Sequence, residues 1–129
     1  QRPLARWVGG GLVNTVGERF APATGVPAGL PRFAGPAGTA PELAGRYREM
    51  RRALSPLGLE IGALGLDARR SWRLTLANGV ELLLGRDRHY GRLLRFVRVY
   101  SQALAEKVDG IERVDLRYTN GLAVRWAGA

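Results

Sequence analysis

The chain of 129 residues has no cysteine, a single histidine and a single lysine. The lack of cysteine excludes disulfides, thiolate nucleophiles and cysteine-ligated metal sites. The histidine, His89, stands between Arg88 and Tyr90 at a predicted helix start, where an isolated histidine is usually only a polar surface residue. Because zinc sites need several His or Cys ligands, we predict no bound metal, and we predict no cofactor.

The residue pairs that enzymes use for proton transfer or nucleophilic attack are also missing. Only 11 residues are Asp or Glu, and they are scattered, so no close pair suggests glycosidase chemistry. The run Gly9-Gly10-Gly11 invites comparison with a phosphate-binding loop, but no Lys-Ser or Lys-Thr pair follows it. We therefore predict that the chain is not an enzyme.

No apolar run approaches the roughly 20 residues that a transmembrane helix needs. The sequence begins at Gln1 without an initiator methionine or a recognisable signal peptide, so we expect Gln1 to start a fragment or a processed chain. Hydrophobic residues make up 46% of the composition. That share and the chain length predict a single globular domain over residues 1–129, with a modest core.

The formal charge of +9 comes almost entirely from arginine. Such a charge suits nucleic acid, an anionic membrane surface or acidic partners. We interpret it mainly as compositional bias, because the arginines are spread along the chain and no nucleic-acid-binding motif is present. One alternative function stays open, a basic adaptor that binds phospholipid headgroups or cell-wall material. The arginines that would carry it lie on two predicted helices, at Arg46, Arg48, Arg51, Arg52, Arg92, Arg95 and Arg98.

Apolar spacing predicts two helices, over residues 41–54 and 88–105. The first begins at Pro41, which suits a first turn because no backbone donor is needed there. A first hairpin is predicted within residues 1–20, followed by a loop rich in Pro, Gly and Ala over 21–41. The predicted strands beyond that hairpin are 30–34, 59–66, 71–76, 80–84, 114–118 and 122–126.

Two Asn-Gly dipeptides, Asn78-Gly79 and Asn120-Gly121, predict tight hairpins, because this pair tolerates the positive φ angles of two-residue turns. Antiparallel hairpins therefore dominate the predicted order, and no βαβ repeat indicates a doubly wound sheet. We predict an α+β fold with a mainly antiparallel twisted sheet. Two helices pack on one face of it, and the C-terminal hairpin lies at the sheet edge.

The last predicted strand has a special position in the chain. Leu122, Val124 and Trp126 alternate with Ala123 and Arg125, and only three residues follow. An edge strand carries unpaired backbone N–H and C=O groups, which proteins either protect or use for binding. We predict that this edge is used for binding.

Four stretches give the sequence a family likeness: 68–79 (ARRSWRLTLANG), 84–86 (LGR), 92–97 (RLLRFV) and 114–126 (VDLRYTNGLAVRW). Shorter stretches at 5–7 (ARW), 35–39 (GPAGT) and 47–50 (YREM) agree with them. Together they resemble the C-terminal β domain of the FtsQ/DivIB family of bacterial cell-division proteins. The resemblance covers almost the whole chain, in order.

This resemblance implies a non-catalytic domain on the periplasmic side of the bacterial inner membrane, at the division septum. Family members place a cytoplasmic tail, one transmembrane helix and a small POTRA domain ahead of the β domain, so residues 1–5 are expected near the POTRA junction. The family's β domain binds FtsB and FtsL, chiefly FtsB, through its last strands. Other divisome proteins and a second copy of the chain are further candidate partners.

The resemblance also implies which residues bind the partner. Tyr118, Gly121 and Trp126 match the family residues around which the FtsB segment packs. Arg69 matches a basic residue that pairs with an acidic side chain of FtsB. The predicted partner-binding set is completed by Arg117, Asn120, Leu122 and Val124.

Each of these residues also has a purely structural explanation. Tyr118 and Trp126 could be core aromatics, and without the family we favour that explanation for them. Gly121 is explained by turn geometry alone, and Arg69 could be a solvated charge beside Arg70. The binding interpretation rests on their combination, because backbone pairing gives affinity while flanking aromatic and arginine contacts give selectivity.

Overall fold

The computed structural model describes residues 2–22 and 24–128. The predicted start at Gln1 and position 23 of the predicted loop lie outside the described residues. The elements in chain order are β1 (Pro3–Trp7), β2 (Leu12–Asn14), β3 (Arg19–Phe20), β4 (Arg32–Ala34), α1 (Ala40–Leu54), β5 (Ile61–Leu66), β6 (Trp72–Leu76), β7 (Glu81–Gly85), α2 (His89–Val99), β8 (Ile111–Asp115) and β9 (Ala123–Trp126). A π-helical turn (Tyr100–Leu104) and a 3-10 helix (Ala105–Gly110) continue α2 towards β8.

All nine described strands belong to one sheet, in the order β3-β2-β1-β4-β5-β6-β7-β8-β9. Five neighbouring pairs are antiparallel, but β1 with β4, β4 with β5, and β7 with β8 are parallel. The α+β class is confirmed. The prediction of a mainly antiparallel sheet is wrong, because the sheet is mixed.

The connections between strands explain two of the three parallel pairs, β4 with β5 and β7 with β8. Chains that cross over through a helix return parallel to the strand they left, whereas a tight turn can only make an antiparallel neighbour. Helix α1 connects β4 to β5 in this way, and α2 with its continuation connects β7 to β8. The molecule therefore contains two β-α-β crossovers that the sequence prediction did not recognise.

Both helices pack on the same face of the sheet. Strands β4 and β7 run in the same direction, and each crossover leads to the next strand on the same side. Because such crossovers are right-handed in nearly all proteins, both helices lie on one face. Their apolar stripes and the inward side chains of the sheet form one buried cluster. Its fully buried members include Phe33, Leu43, Met50, Leu74, Leu82, Leu93, Phe96 and Leu116.

The two Asn-Gly dipeptides have different outcomes. Gly79 takes a φ of +97° in the short connection between β6 and β7, where Leu76 N donates to Val80 O at 2.9 Å. The hairpin predicted at Asn78-Gly79 is therefore confirmed. The second dipeptide does not form a two-residue turn. It belongs to a seven-residue loop, residues 116–122, which we call the C-terminal loop, between Asp115 of β8 and Ala123 of β9. The predicted strand at 114–118 therefore ends earlier, at Asp115.

Candidate protein-interaction site

Among the described residues, β9 is the last strand on its side of the sheet. It pairs with β8 through Val114 with Val124 and Asp115 with Ala123, so its other side has no strand against it in the described part of the chain. On the far side of the sheet, the end strand β3 has only two residues. Very short edge strands are one way in which proteins protect an edge. Of the two edges, β9 is therefore the better template for an added strand.

The direction of the β9 backbone groups follows from one hydrogen bond. Ala127 N donates to Gly110 O at 2.7 Å, so the Ala127 N–H points towards the β8 side. N–H groups alternate between the two sides of a strand, and the irregularity in this pair falls in β8, between Ile111 and Arg113. The N–H groups of Val124 and Trp126 consequently point away from β8, towards solvent.

Two aromatic side chains, one in the loop that leads into β9 and one at the end of β9, are open to solvent. Tyr118 is 49% exposed in the C-terminal loop, and Trp126 is 39% exposed at the end of β9. The Trp126 ring lies next to Gly110. The interpretation of both residues as core aromatics is therefore wrong. Leu122 and Val124, by contrast, are half-buried and pack against the core.

Arg117 and Asp115 form a two-pronged ion pair. Arg117 Nε donates to Asp115 Oδ1 at 2.9 Å, and its Nη2 donates to Oδ2 at 2.8 Å. The hydrogen bond from Arg117 is the main cause that lowers the pKa of the Asp115 carboxyl, and the carboxylate in turn raises the pKa of Arg117. Arg117 was predicted to bind a partner, but in the free chain its guanidinium is already occupied.

Arg95 of α2 contacts the C-terminal loop directly. Its Nη1 donates to the carbonyl oxygens of Tyr118 (3.1 Å) and Gly121 (2.8 Å), and its Nη2 donates to that of Thr119 (2.9 Å). The sequence analysis named Arg95 only as one of the arginines of the alternative basic surface. Helical periodicity gives no signal for such a contact, because the loop is more than twenty residues away in sequence.

The turn between β5 and β6 separates the two arginines of the Arg-Arg motif. The Asp67 carboxylate accepts hydrogen bonds from the backbone N–H groups of Arg69 and Ser71, both at 2.9 Å, and fixes this turn. Arg70 takes a left-handed φ of 67° and pairs with Glu42 of α1. Arg69 is exposed, and its guanidinium has no ion pair within the described residues. Arg69 is the arginine of the motif that is available to an acidic partner.

Arg69 and the β9 edge lie at the same end of the sheet but not side by side. The end of β8, at Asp115, pairs with β7, whose Gly85 end pairs with Trp72 at the start of β6. Three strand spacings of about 4.8 Å separate β6 from β9, so the turn with Arg69 is on the order of 14 Å from the edge. A groove of about 590 Å³ runs past this turn, and Asp67, Arg73 and Arg117 are among the residues that line it.

The arginines of the alternative basic surface are mostly engaged within the chain. Arg48 donates to Thr15 O at 2.6 Å, Arg92 donates to Leu84 O at 2.9 Å, and Arg46 pairs with Glu49 at 3.2 Å. Arg51 lies over the Tyr47 ring. Together with Arg95, five of the seven have a structural role, which weakens the case for a surface built to bind an anionic polymer.

His89 lies between the helices rather than in a catalytic cluster. Its Nε2 is 3.8 Å from Glu49 Oε1, both atoms are buried, and its ring packs at 5.4 Å from that of Trp72. Burial lowers the pKa of His89, and nearby Arg46 adds to this effect against the opposing charge of Glu49. The described residues contain no group of three or more His, Cys, Asp or Glu side chains that could hold a metal ion.

Comparison with known proteins identifies the family. The model of the family "Cell division protein FtsQ/DivIB, C-terminal" matches residues 5–117. Arg69 and Arg117 lie inside that range, whereas the rest of the predicted binding set lies beyond it. None of the helices in residues 2–22 and 24–128 is long and apolar enough to cross a membrane.

Individual relatives extend the match beyond residue 117. The chain is 41% identical to "Cell division protein FtsQ" of Cellvibrio japonicus, over 98% of this chain and 40% of the relative. It is 42% identical to the protein of the same name from Allochromatium vinosum (98% and 50%) and 40% identical to that of Escherichia coli (97% and 47%). The chain thus spans about half the length of the curated relatives it matches. It belongs to the FtsQ/DivIB family of cell division proteins.

Proposed function

We propose that the chain is a binding domain of the cell-division machinery that takes up an extended partner segment by β-strand addition at β9. The observation that carries this proposal is the edge itself: outward N–H groups at Val124 and Trp126, flanked by the exposed rings of Tyr118 and Trp126. Added strands gain affinity from main-chain hydrogen bonds and selectivity from neighbouring side chains. Tyr, Trp and Arg are the residue types most enriched among interface hot spots.

The partner we propose is FtsB, together with FtsL, on the periplasmic side of the inner membrane at the division septum. This part of the proposal rests on the family resemblance. The relatives carry the name "Cell division protein FtsQ", and the chain covers only about half of their length.

The position of Arg69 constrains how the partner lies. A single strand added along β9 does not reach a guanidinium on the order of 14 Å away across three strand spacings. The partner therefore needs a second contact region that crosses the end of the sheet, past the C-terminal loop and Arg117, to bring an acidic side chain to Arg69. The groove lined by Asp67, Arg73 and Arg117 lies on that path.

We propose no catalytic role for the chain. The only histidine is packed between the helices against Trp72 and Glu49, and the edge and its flanking aromatics provide no nucleophile or general base. A purified chain that turned over a substrate, and lost that activity in His89→Ala, would contradict this part of the proposal.

The second candidate function, binding to an anionic surface, is supported by the charge of +9 and by the exposed Arg52 and Arg98. The test is a titration of the chain with the periplasmic segment of FtsB and with vesicles of anionic phospholipid, at low and high salt. Binding to phosphate groups falls steeply as salt rises, whereas strand addition with aromatic anchors is much less sensitive. FtsB binding that survives 0.5 M salt supports strand addition; binding only to vesicles, abolished by salt, favours the anionic surface.

A further inference from the structure

The C-terminal loop carries five of the eight predicted binding residues, so whatever fixes its conformation also positions the binding surface. The loop connects β8 to the edge strand, and it is too long to be fixed by a tight turn. Gly121, with a left-handed φ of +72°, helps to bend it. Carbonyl groups at three of its seven positions point towards α2, where the Arg95 guanidinium donates hydrogen bonds to them.

The chemistry of Arg95 suits this task. A guanidinium is planar, keeps its charge at every relevant pH and offers several N–H donors in a fixed fork. Here that fork donates to three carbonyl oxygens at 2.8–3.1 Å. Arg95 itself is half-buried on a regular helix, so it connects a surface loop to a rigid element of the core. Hydrogen bonds from a charged donor are stronger than neutral ones.

We propose that Arg95 is a positioning residue for partner binding. It holds the C-terminal loop in the conformation that presents Tyr118 beside β9, without touching the partner itself. This inference rests on the proposed function. Without Arg95 the partner must bind a loop that samples many conformations, and the ordering of that loop then reduces affinity.

The first arm of the test is made on the free chain. In Arg95→Met, which keeps much of the apolar stem, we expect backbone NMR order parameters at 118–122 to fall from about 0.85 to below about 0.6. The matched control is Arg98→Met, which removes the same charge from the same helix at an exposed position. It should leave these values unchanged. Unchanged order parameters in a folded Arg95→Met would overturn the inference.

The second arm measures binding to the periplasmic segment of FtsB. We expect Arg95→Met to weaken binding about tenfold, the scale of a lost charged hydrogen bond, while Arg98→Met binds like the parent. Arg95→Lys separates positioning from direct contact. A lysine ammonium is a point charge without the planar fork, so it should restore little of the loop order or the affinity. If lysine restores full affinity while the loop stays mobile, Arg95 contacts the partner directly and the inference is wrong.

The two arms also separate this inference from the proposed function. If Arg95→Met loosens the loop but binds FtsB like the parent, while Tyr118→Ala and Trp126→Ala bind weakly, the strand-addition site stands and the role of Arg95 is refuted. If Tyr118→Ala and Trp126→Ala also bind like the parent, the proposed site is wrong, and the role of Arg95 in binding is refuted with it. Loss of order and loss of affinity together, absent from Arg98→Met, support the inference.

Discussion

Tyr118 and Trp126 are the two side chains whose removal should weaken partner binding most. Both are large, aromatic and exposed beside the open edge, at 49% and 39%. We expect Tyr118→Ala and Trp126→Ala each to reduce the binding free energy for the FtsB segment by about 2–4 kcal/mol, the range of interface hot spots. Because neither side chain belongs to the buried core, the melting temperature should change little. Titration calorimetry and thermal melts measure the two effects separately.

The control for these two variants is another exposed apolar residue away from the edge. Val16 is 65% exposed in the turn between β2 and β3, at the other side of the sheet. Val16→Ala should bind FtsB like the parent. Folded Tyr118→Ala and Trp126→Ala variants with parental affinity would place the partner site elsewhere.

Arg69 should contribute a charge-dependent part of the affinity. Its guanidinium is exposed and free of ion pairs within the described residues, whereas its neighbour Arg70 is paired with Glu42. Arg69→Glu places a carboxylate against the acidic side chain of FtsB. We therefore expect weaker binding at low salt and a smaller difference from the parent at high salt. Arg52→Glu makes the same charge change on an exposed face of α1. Equal losses in both variants, at every salt concentration, would mean that only net charge matters.

His89 should make stability depend on pH near neutrality. Its folded-state pKa is lowered below the ordinary value of 6.5, chiefly by burial and then by Arg46. The unfolded chain therefore binds more protons in the window just below pH 6.5. By linkage, the His89 contribution is complete above that pH and decreases as the pH falls through the window.

Chemical denaturation at pH 7.5 and pH 5.5 checks this expectation. The parent should lose free energy of unfolding at the lower pH, and His89→Gln should lose less, because it cannot take up the proton. The Asp115 carboxyl titrates well below this range, so it does not interfere. A parent and a variant with the same pH dependence would show that the burial of His89 carries no such cost.

At single positions, the sequence predicted which residues belong to a motif better than it predicted what those residues contact. The motif with Arg69 and Arg70 could be recognised, but only the turn geometry shows that Arg70 is paired and Arg69 is free. The explanation of Tyr118 as a core aromatic was wrong because the sequence does not reveal that β8 ends at Asp115. Arg95 was missed because its contacts span more than twenty residues of chain.

Within β9, proline substitutions should separate the binding side of the strand from the pairing side. Val124→Pro removes an outward N–H, so we expect at least about tenfold weaker FtsB binding with only a modest loss of stability. Arg125→Pro removes an inward N–H that pairs with β8 and should reduce the free energy of unfolding by about 1–3 kcal/mol. The exposed ion pair of Arg125 with Glu112 adds little to this difference. If Val124→Pro instead reduces stability and Arg125→Pro reduces binding, the Val124 N–H points towards β8 and the Arg125 N–H points outwards.

The positions of the helices and strands could be predicted from the sequence, but the parallel or antiparallel direction of strand pairing could not. Both helices and all five strand regions after residue 58 were predicted within a few residues of their places. The Asn78-Gly79 hairpin was correct because local turn chemistry determines it. The parallel pairs β4–β5 and β7–β8 depend on how α1 and α2 fold back on the sheet, which is a tertiary property. The same reasoning explains the C-terminal loop, where Arg95 stabilises a conformation that Asn120-Gly121 alone does not require.

The molecule as a whole has an asymmetric sheet. One side ends in the two-residue strand β3, and the other ends in β9, next to a loop that a core helix holds. Several of the arginines that carry the net charge of +9 contact other groups within the chain. The family could be inferred from the sequence, whereas the separation between Arg69 and β9 required the strand order. The partner contact is therefore expected to be two-part, an added strand and a crossing segment.

The most direct test of strand addition is amide hydrogen exchange along β9 with and without the FtsB segment. Outward amides have no partner strand in the free chain, whereas inward amides already pair with β8. We predict that binding slows exchange at Val124 and Trp126 by at least about tenfold and changes Arg125 much less. A saturated complex in which the Val124 and Trp126 amides exchange as fast as in the free chain would contradict strand addition at β9.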